Sequence, residues 1–339
     1  MTDKVNVGIV GCGSIAEAHL KYLARNQYVN LTGFCDVDLT KATDKAKRYG
    51  SQDSKACADA SEVLSLPLDA VFFFLPPFAH GAEVMAAERS IPFFVEKPVE
   101  LSMDRAMKIL NKVRDKRVMT SVGYMNRYRK GVNFAREEFR GDPVILALGG
   151  WIGGTPRGDS WWVIKSKSGG QFHEQVTHTV DLVRYVCGEV KEVQAYCVRG
   201  LNRGVPISYD VEDASVVNMR LDHGGVVNLC ASCSSNASGG VFLNVYAYET
   251  AAIFTGWEHS LRLFKVGMDP VELKGEPDIF EVEDNAFVEA IRRGEPSGIR
   301  CTYEDAVQTL AVTLTANSSI ECGRPLAVPR VHQGQKPGS

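Results

Sequence analysis

The chain of 339 residues contains no apolar run near the ~18 residues that a bilayer span requires. Its longest candidate, residues 70–74, is the length of a strand and is stopped by Pro76-Pro77. Charge of one sign is equally scarce. With 38 Lys and Arg against 41 Asp and Glu the net charge is −3, which gives no field to draw in nucleic acid or an anionic membrane. The densest basic stretch, Arg127-Tyr128-Arg129-Lys130, reads as a solvated helix start. The opening Met1-Thr2-Asp3-Lys4 has no apolar h-region and leads straight into a strand, so the expectation is a soluble, cytoplasmic protein without a signal peptide. The nine cysteines are an odd, scattered set and do not form a disulfide framework. Cys230 and Cys233 make a C-x-x-C, but they lie in a strand-like segment, where positions three apart point to opposite faces. No second pair completes a zinc shell, so both read as buried thiols and no metal is expected.

The chain does have regular alternation. Strand-like and helix-like stretches follow one another through the first third: strands at 5–10, 31–36, 69–75, 92–95 and 118–122, helices at 14–25, 39–49, 78–89 and 102–115. Strict β-α alternation predicts an α/β fold with a parallel, doubly wound Rossmann sheet. After Gly123 the pattern changes. A helix at 131–139 and one long helix at about 174–187 precede strands at 190–198, 213–221, 225–232, 241–248 and 252–254. Two terminal helices, 283–293 and 303–322, complete the fold. Strands in runs predict an α+β domain with an open, largely antiparallel sheet. The expected division is 1–122 for cofactor binding, 123–327 for substrate binding and oligomerisation, and a loose Pro/Gly-rich tail at 328–339.

Gly11-Cys12-Gly13-Ser14-Ile15-Ala16 follows the first strand and opens the first helix, with Ser14 as a possible N-cap. In that setting Gly11 permits the tight turn and Gly13 lets the backbone approach a pyrophosphate at the helix N-terminus. Ala16 allows helix and sheet to pack closely. Asp36, at the end of the second strand, is placed to accept hydrogen bonds from an adenosine ribose diol and to repel a 2′-phosphate. This favours NAD, while nearby Lys41 leaves NADP open. Leu75-Pro-Pro-Phe-Ala-His80 and Val95-Glu96-Lys97-Pro98 each lie just past the carboxyl end of a strand, the edge where open α/β sheets bind ligands. A lysine there can polarise a substrate hydroxyl, although a solvated Lys before a turn proline fits the pattern equally well. Glu174, His178 and Asp181 fall at i, i+4 and i+7 of the long helix, a polar stripe in which His178 is suited to general-base work. The Glu174 carboxylate one turn away can orient it or raise its pKa, which makes Glu174 a catalytic candidate beside it. His173 and His178 are five residues apart, ~500° of helix, and cannot share a metal. A polar helix face with a Glu–His pair remains the plain alternative.

In this order and spacing the landmarks resemble the Gfo/Idh/MocA oxidoreductase family (glucose-fructose oxidoreductase, inositol dehydrogenase and relatives) over nearly the whole chain. The resemblance implies that Lys97 and His178 serve one substrate hydroxyl, His178 taking its proton and Lys97 polarising its oxygen while hydride passes to or from nicotinamide. Gly11, Gly13, Ser14, Ile15, Asp36, Pro77, His80, Glu96 and Lys97 would form the cofactor site, with Pro77 and His80 at the nicotinamide half. The implied substrate is a sugar, cyclitol or related polyol, or its ketone. Many members carry Asp where this chain has Glu174, a change that bears on which substrate hydroxyl is contacted. Arg127, Trp162 and Gln175 are further substrate candidates.

Two other readings belong to the same fold: an NAD-retaining glycoside hydrolase or lyase that oxidises its substrate transiently, and a non-enzymatic cofactor-sensing regulator. The chain adds no DNA-binding module, which counts against the regulator. Apolar side chains on both faces of 241–248 predict a homodimer or homotetramer packed through the C-terminal sheet.

Overall fold

The computed structural model describes residues 4–156 and 158–331. They form two compact units, residues 4–125 with 278–307, and 126–277 with 308–331. The chain therefore passes between units three times, where the sequence suggested a single boundary at 122/123. The return of 278–307 follows from apolar faces on its helices, which fill the first unit's core.

The first unit alternates β1 (Val5–Val10), α1 (Ser14–Leu23), β2 (Val29–Cys35), α2 (Leu39–Tyr49), β3 (Lys55–Cys57), α3 (Ala60–Leu64), β4 (Ala70–Phe73), α4 (Glu83–Glu88), β5 (Phe93–Val95), α5 (Met103–Lys116) and β6 (Thr120–Val122). All six strands are parallel in the order β3-β2-β1-β4-β5-β6, the doubly wound sheet expected. β3 and α3 escaped the sequence reading, since three and five residues are too few to show a period. The helix expected at 78–89 shrinks to α4, because Pro77–Ala79 forms a separate 3-10 turn and Gly81 takes a φ of +142°.

The second unit contains α6 (Lys130–Glu138), β7 (Leu146–Ile152), α7 (Lys165–Ser168), α8 (Gln171–Glu174) and α9 (Thr177–Leu182), then β8 (Val190–Val198), β9 (Ala214–Leu221), β10 (Val226–Ser232), β11 (Gly240–Tyr246), β12 (Thr250–Thr255), β13 (Ser260–Lys265) and β14 (Val271–Leu273). α10 (Ile279–Arg293) lies in the first unit. α11 (Tyr303–Cys322) begins there and ends in the second unit, which β15 (Leu326–Ala327) completes. The nine-stranded sheet runs β14-β13-β12-β11-β7-β10-β9-β8-β15 and is antiparallel except where β10 pairs with β7. Along β9, β10 and β11 one face is buried while the other is half-buried or exposed, the alternation of a sheet covered on one side.

Several expectations give way. The single long helix at 174–187 is broken: α8 ends at Glu174, Gln175 and Val176 form a turn, and α9 restarts at Thr177 and runs into a π-helical turn at Val183–Cys187. The basic stretch is no solvated helix start, for Arg127 and Arg129 are both buried. Ser14 is the first helical residue of α1 and Gly13 its cap. Cys233 is buried as read, but Cys230 is half-buried on the open sheet face, and all nine thiols are free. The tail is not loose from 328, since Val328 and Val331 donate backbone N–H groups to Lys191 O and Gln308 Oε1. Residues 332–339 lie outside the described residues. Among the described residues no helix is long and apolar enough to cross a membrane.

Candidate active site

In the first unit the turn between β1 and α1 is shaped by its glycines. Gly11 has a φ of +93°, and a Cβ there would lie 2.3 Å from Phe74 O, so no other residue fits. Gly13 is exposed, and a Cβ on it would meet nothing within 4 Å. The open N-terminus of a ten-residue helix is thus presented without side-chain cover, the arrangement that accepts a phosphate. Ser14 is exposed and Ile15 half-buried at the same edge, while Ala16 is buried against the sheet. Asp36 sits just beyond β2, where its two oxygens accept the backbone N–H groups of Cys12 (2.8 Å) and Asp38 (2.9 Å). Its carboxylate is therefore fixed beside the turn with lone pairs to spare for a ribose diol. Lys41 is exposed and lies 3.9 Å from Asp38. The residues present fit an NAD pyrophosphate and ribose.

At the carboxyl edge of β4 and β5, Pro77 is buried and His80 is held at Nδ1 by Glu83, 2.6 Å away. Burial pushes the Glu83 carboxyl up, but the neighbouring His80 ring outweighs burial and holds it below its ordinary range. His80 Nε2 has no hydrogen-bond partner among the described residues. Glu96 is buried, and Lys97 is half-buried with its N–H donated to Glu96 Oε2 at 3.2 Å. The Lys97-Pro98 bond is cis.

In the second unit the three groups of the expected polar stripe engage different neighbours. Glu174 Oε2 accepts the indole N–H of Trp162 at 2.6 Å, which ties these two candidates together. Gln175 is half-buried and 3.5 Å from Gln171 Nε2. Asp181 is gripped by the Arg127 fork, with Nε at 2.8 Å and Nη2 at 2.7 Å, and it also accepts a hydrogen bond from Thr309 Oγ1 at 3.0 Å. That bidentate engagement gives Arg127 a structural task in place of an open, substrate-facing one. His173 Nδ1 lies 2.9 Å from Thr313 Oγ1.

His178 is buried, and its ring lies edge-on to Trp257 at 6.4 Å and 83°. Sequence reasoning missed Trp257. It stands in the hairpin between β12 and β13, announced only by the turn residue Gly256, whose φ is +74°. Although 45% exposed, it is held firmly. Trp151 packs edge-on to its ring at 5.4 Å, and its carbonyl accepts from buried Arg129 (3.2 Å) and from His259 Nδ1 (3.1 Å). His259 is buried, with a left-handed φ of +49°, strain of the kind that gathers at functional sites. Burial lowers its pKa to about 4, so the ring is neutral and donates from one nitrogen. An exposed indole anchored this way beside a buried imidazole makes a firm apolar platform.

Residues 5–124 match the oxidoreductase family with an NAD-binding Rossmann fold, and residues 142–252 match the GFO/IDH/MocA C-terminal domain. The chain is 26% identical to scyllo-inositol 2-dehydrogenase (NAD(+)) of Bacillus subtilis, over 98% of this chain and 100% of that protein. It is 25% identical to 2,7-anhydro-N-acetylneuraminate hydratase of Escherichia coli, over 56% and 51% of the two. Among solved structures, levoglucosan dehydrogenase in complex with NADH and levoglucosan shares the fold with a TM-score of 0.85 at 20% identity, covering 96% of this chain and 100% of that one. With the glycine turn, Asp36 and both domains in place, the chain belongs to the Gfo/Idh/MocA family of NAD-binding oxidoreductases.

Proposed function

We propose that this oxidoreductase moves a hydride between nicotinamide and a sugar, cyclitol or related polyol, or its ketone, with Lys97 and His178 as its acid–base pair. The observation that carries the reading is the Trp257 platform beside His178. Rings bearing several hydroxyls have an apolar C–H face that suits an indole, and the hydroxyl to be oxidised needs a base at its edge. The name of the Bacillus subtilis relative and the sugar held by levoglucosan dehydrogenase agree with that chemistry.

When bound, NAD supplies the hydride acceptor. The turn at Gly11 to Ser14 binds its pyrophosphate through open backbone N–H groups, and Asp36 takes the ribose diol. His178 removes the substrate hydroxyl proton, and Lys97 favours the developing alkoxide by its charge and hydrogen bond. The reverse direction returns that proton to the carbonyl oxygen. In this reading Glu174, whose carboxylate accepts the Trp162 indole N–H, contacts a substrate hydroxyl, and Gln175 beside it is a further polar contact. Substituting Lys97→Ala is expected to lower kcat by about 10²–10⁴-fold with NADH binding intact. Turnover unchanged in that variant overturns the pairing.

The hydratase relative supports a second reading, in which the substrate is oxidised only transiently and the bound cofactor returns to its starting state. Accumulation of NADH in step with polyol consumption separates the first reading from the second. The exposed sheet face carries Tyr196, Val216, Leu148 and Val226 on adjoining strands, which supports subunits packed through this sheet as a homodimer or homotetramer. A monomer by light scattering at micromolar concentration counts against that assembly.

A further inference from the structure

The first unit encloses an ionic cluster with no place in the chemistry above. His19, on the inner face of α1, is wholly buried, and both of its ring nitrogens face carboxylates. Nδ1 lies 2.7 Å from Asp284 Oδ1 on α10, and Nε2 lies 3.2 Å from Glu96 Oε1 at the end of β5. Only an imidazolium donates from both nitrogens to two ionised carboxylates. Burial opposes that charge, but Asp284 and then Glu96 outweigh it and raise the histidine to a pKa of about 10. Phe74 stacks on the ring at 4.6 Å, and Phe280 meets it edge-on at 4.8 Å, so water is kept out.

A buried histidine with two carboxylates is a poor way to gain stability, since apolar residues of similar volume commonly do as well or better. What the cluster does hold is the Glu96 side chain. With Oε1 on His19, Oε2 accepts the backbone N–H of Lys97. The opposite side is closed by Gly123, where a Cβ would sit 2.2 Å from Glu96 Oε1. The carboxylate therefore has one seat, and the main chain of Lys97 hangs from it.

We propose that His19, backed by Asp284, is a positioning residue: it fixes the Glu96 carboxylate that anchors Lys97, and so sets where Lys97 presents its ammonium group. This rests on the reading of Lys97 as a catalytic residue. The same helix α1 that carries the pyrophosphate turn carries His19, so one rigid element registers both the cofactor cradle and the lysine.

The experiment uses the full chain with NAD and the polyol that the wild type turns over fastest, comparing His19→Gln, the near-isosteric Asp284→Asn and Lys97→Ala. Displacement of a reacting group by about an ångström costs on the order of 100-fold, so kcat in folded His19→Gln and Asp284→Asn should fall about 10- to 100-fold. NADH affinity should stay within about twofold, and the isotope effect with carbon-deuterated polyol should rise as hydride transfer becomes limiting. A role in scaffolding alone would lower the melting temperature without slowing hydride transfer in the folded protein. A kcat within about twofold of wild type in both variants overturns the proposal, as does a loss of NADH affinity in proportion to kcat. Should His19→Gln fail to fold, Asp284→Asn decides on the same criteria. Full turnover in Lys97→Ala would instead sink the acid–base reading, so the two failures are distinct.

Discussion

The two units hold their functional groups in contrasting ways. The first holds its pyrophosphate and ribose groups with backbone: a glycine turn, an open helix end, and a carboxylate, Asp36, locked by main-chain N–H groups. The second uses side chains on short, broken helices and a hairpin tip, secured by hydrogen bonds from Arg127, Arg129 and Trp162. A cofactor of fixed shape suits the first arrangement. A site that must accommodate varied substrates suits the second, because side chains can change without disturbing a sheet.

The contrast can be broken most severely at Gly11. Gly11→Ala sets a Cβ against the Phe74 carbonyl in a left-handed conformation, and should abolish NADH binding and much of the soluble yield, as fluorescence titration and expression would show. Next comes Arg127→Ala, which strands the buried Asp181 carboxylate. Denaturant titration should register a loss of about 3–5 kcal/mol, while the isolated chemistry of cofactor binding is unaffected.

A pH series sharpens the comparison, because the units carry histidines shifted in opposite directions. His19 stays protonated in the fold up to about 10, so its contribution is full below about 6.5 and is lost as pH rises toward 10. His259 is held neutral down to about 4, so unfolding takes up a proton below about 6.5 and stability falls as pH drops toward 4. Melting temperature against pH should therefore decline on both sides, with His19→Gln flattening the alkaline limb and His259→Asn the acid one. The smallest effect concerns the platform. Trp257→Ala should raise KM for polyol about tenfold, the scale of ~1.4 kcal/mol of lost stacking, with little change in NADH affinity, whereas Trp257→Phe recovers most of it.

Legibility from sequence follows the same division. Backbone-built features carry a local signature, so the glycine turn, Asp36 and the parallel sheet could be read directly. Features that depend on distant partners could not. Arg127 and Arg129 look like surface cations until Asp181, Glu276 and the Trp257 carbonyl arrive from residues far along the chain. β7 was missed because Gly149-Gly150 resembles a loop. These glycines are there because neighbouring strands crowd them, and a Cβ on Gly150 would lie 2.3 Å from Cys230 O. Trp257 has no periodicity around it, and only the three-dimensional neighbourhood of His178 gives it meaning. Lys97 and His178 were marked by the family resemblance more than by their own surroundings.

The return of α10 to the first unit bears on how the protein is made. Phe287 and Val288 of α10 belong to the same buried cluster as Val7, Leu20 and Phe72, and Asp284 supplies the counter-charge to His19. A ribosome that has finished the sixth parallel strand has therefore not yet made a complete cofactor unit. At about 5–20 residues per second it needs on the order of 10–30 s more to reach α10. During that interval His19 on the inner face of α1 has Glu96 but lacks its Asp284 counter-charge, and Phe72 and Phe94 lack the Phe287 ring that meets them. A fragment ending near residue 125 should share that condition permanently, so the cofactor half is obtained soundly only from a chain long enough to come back to it.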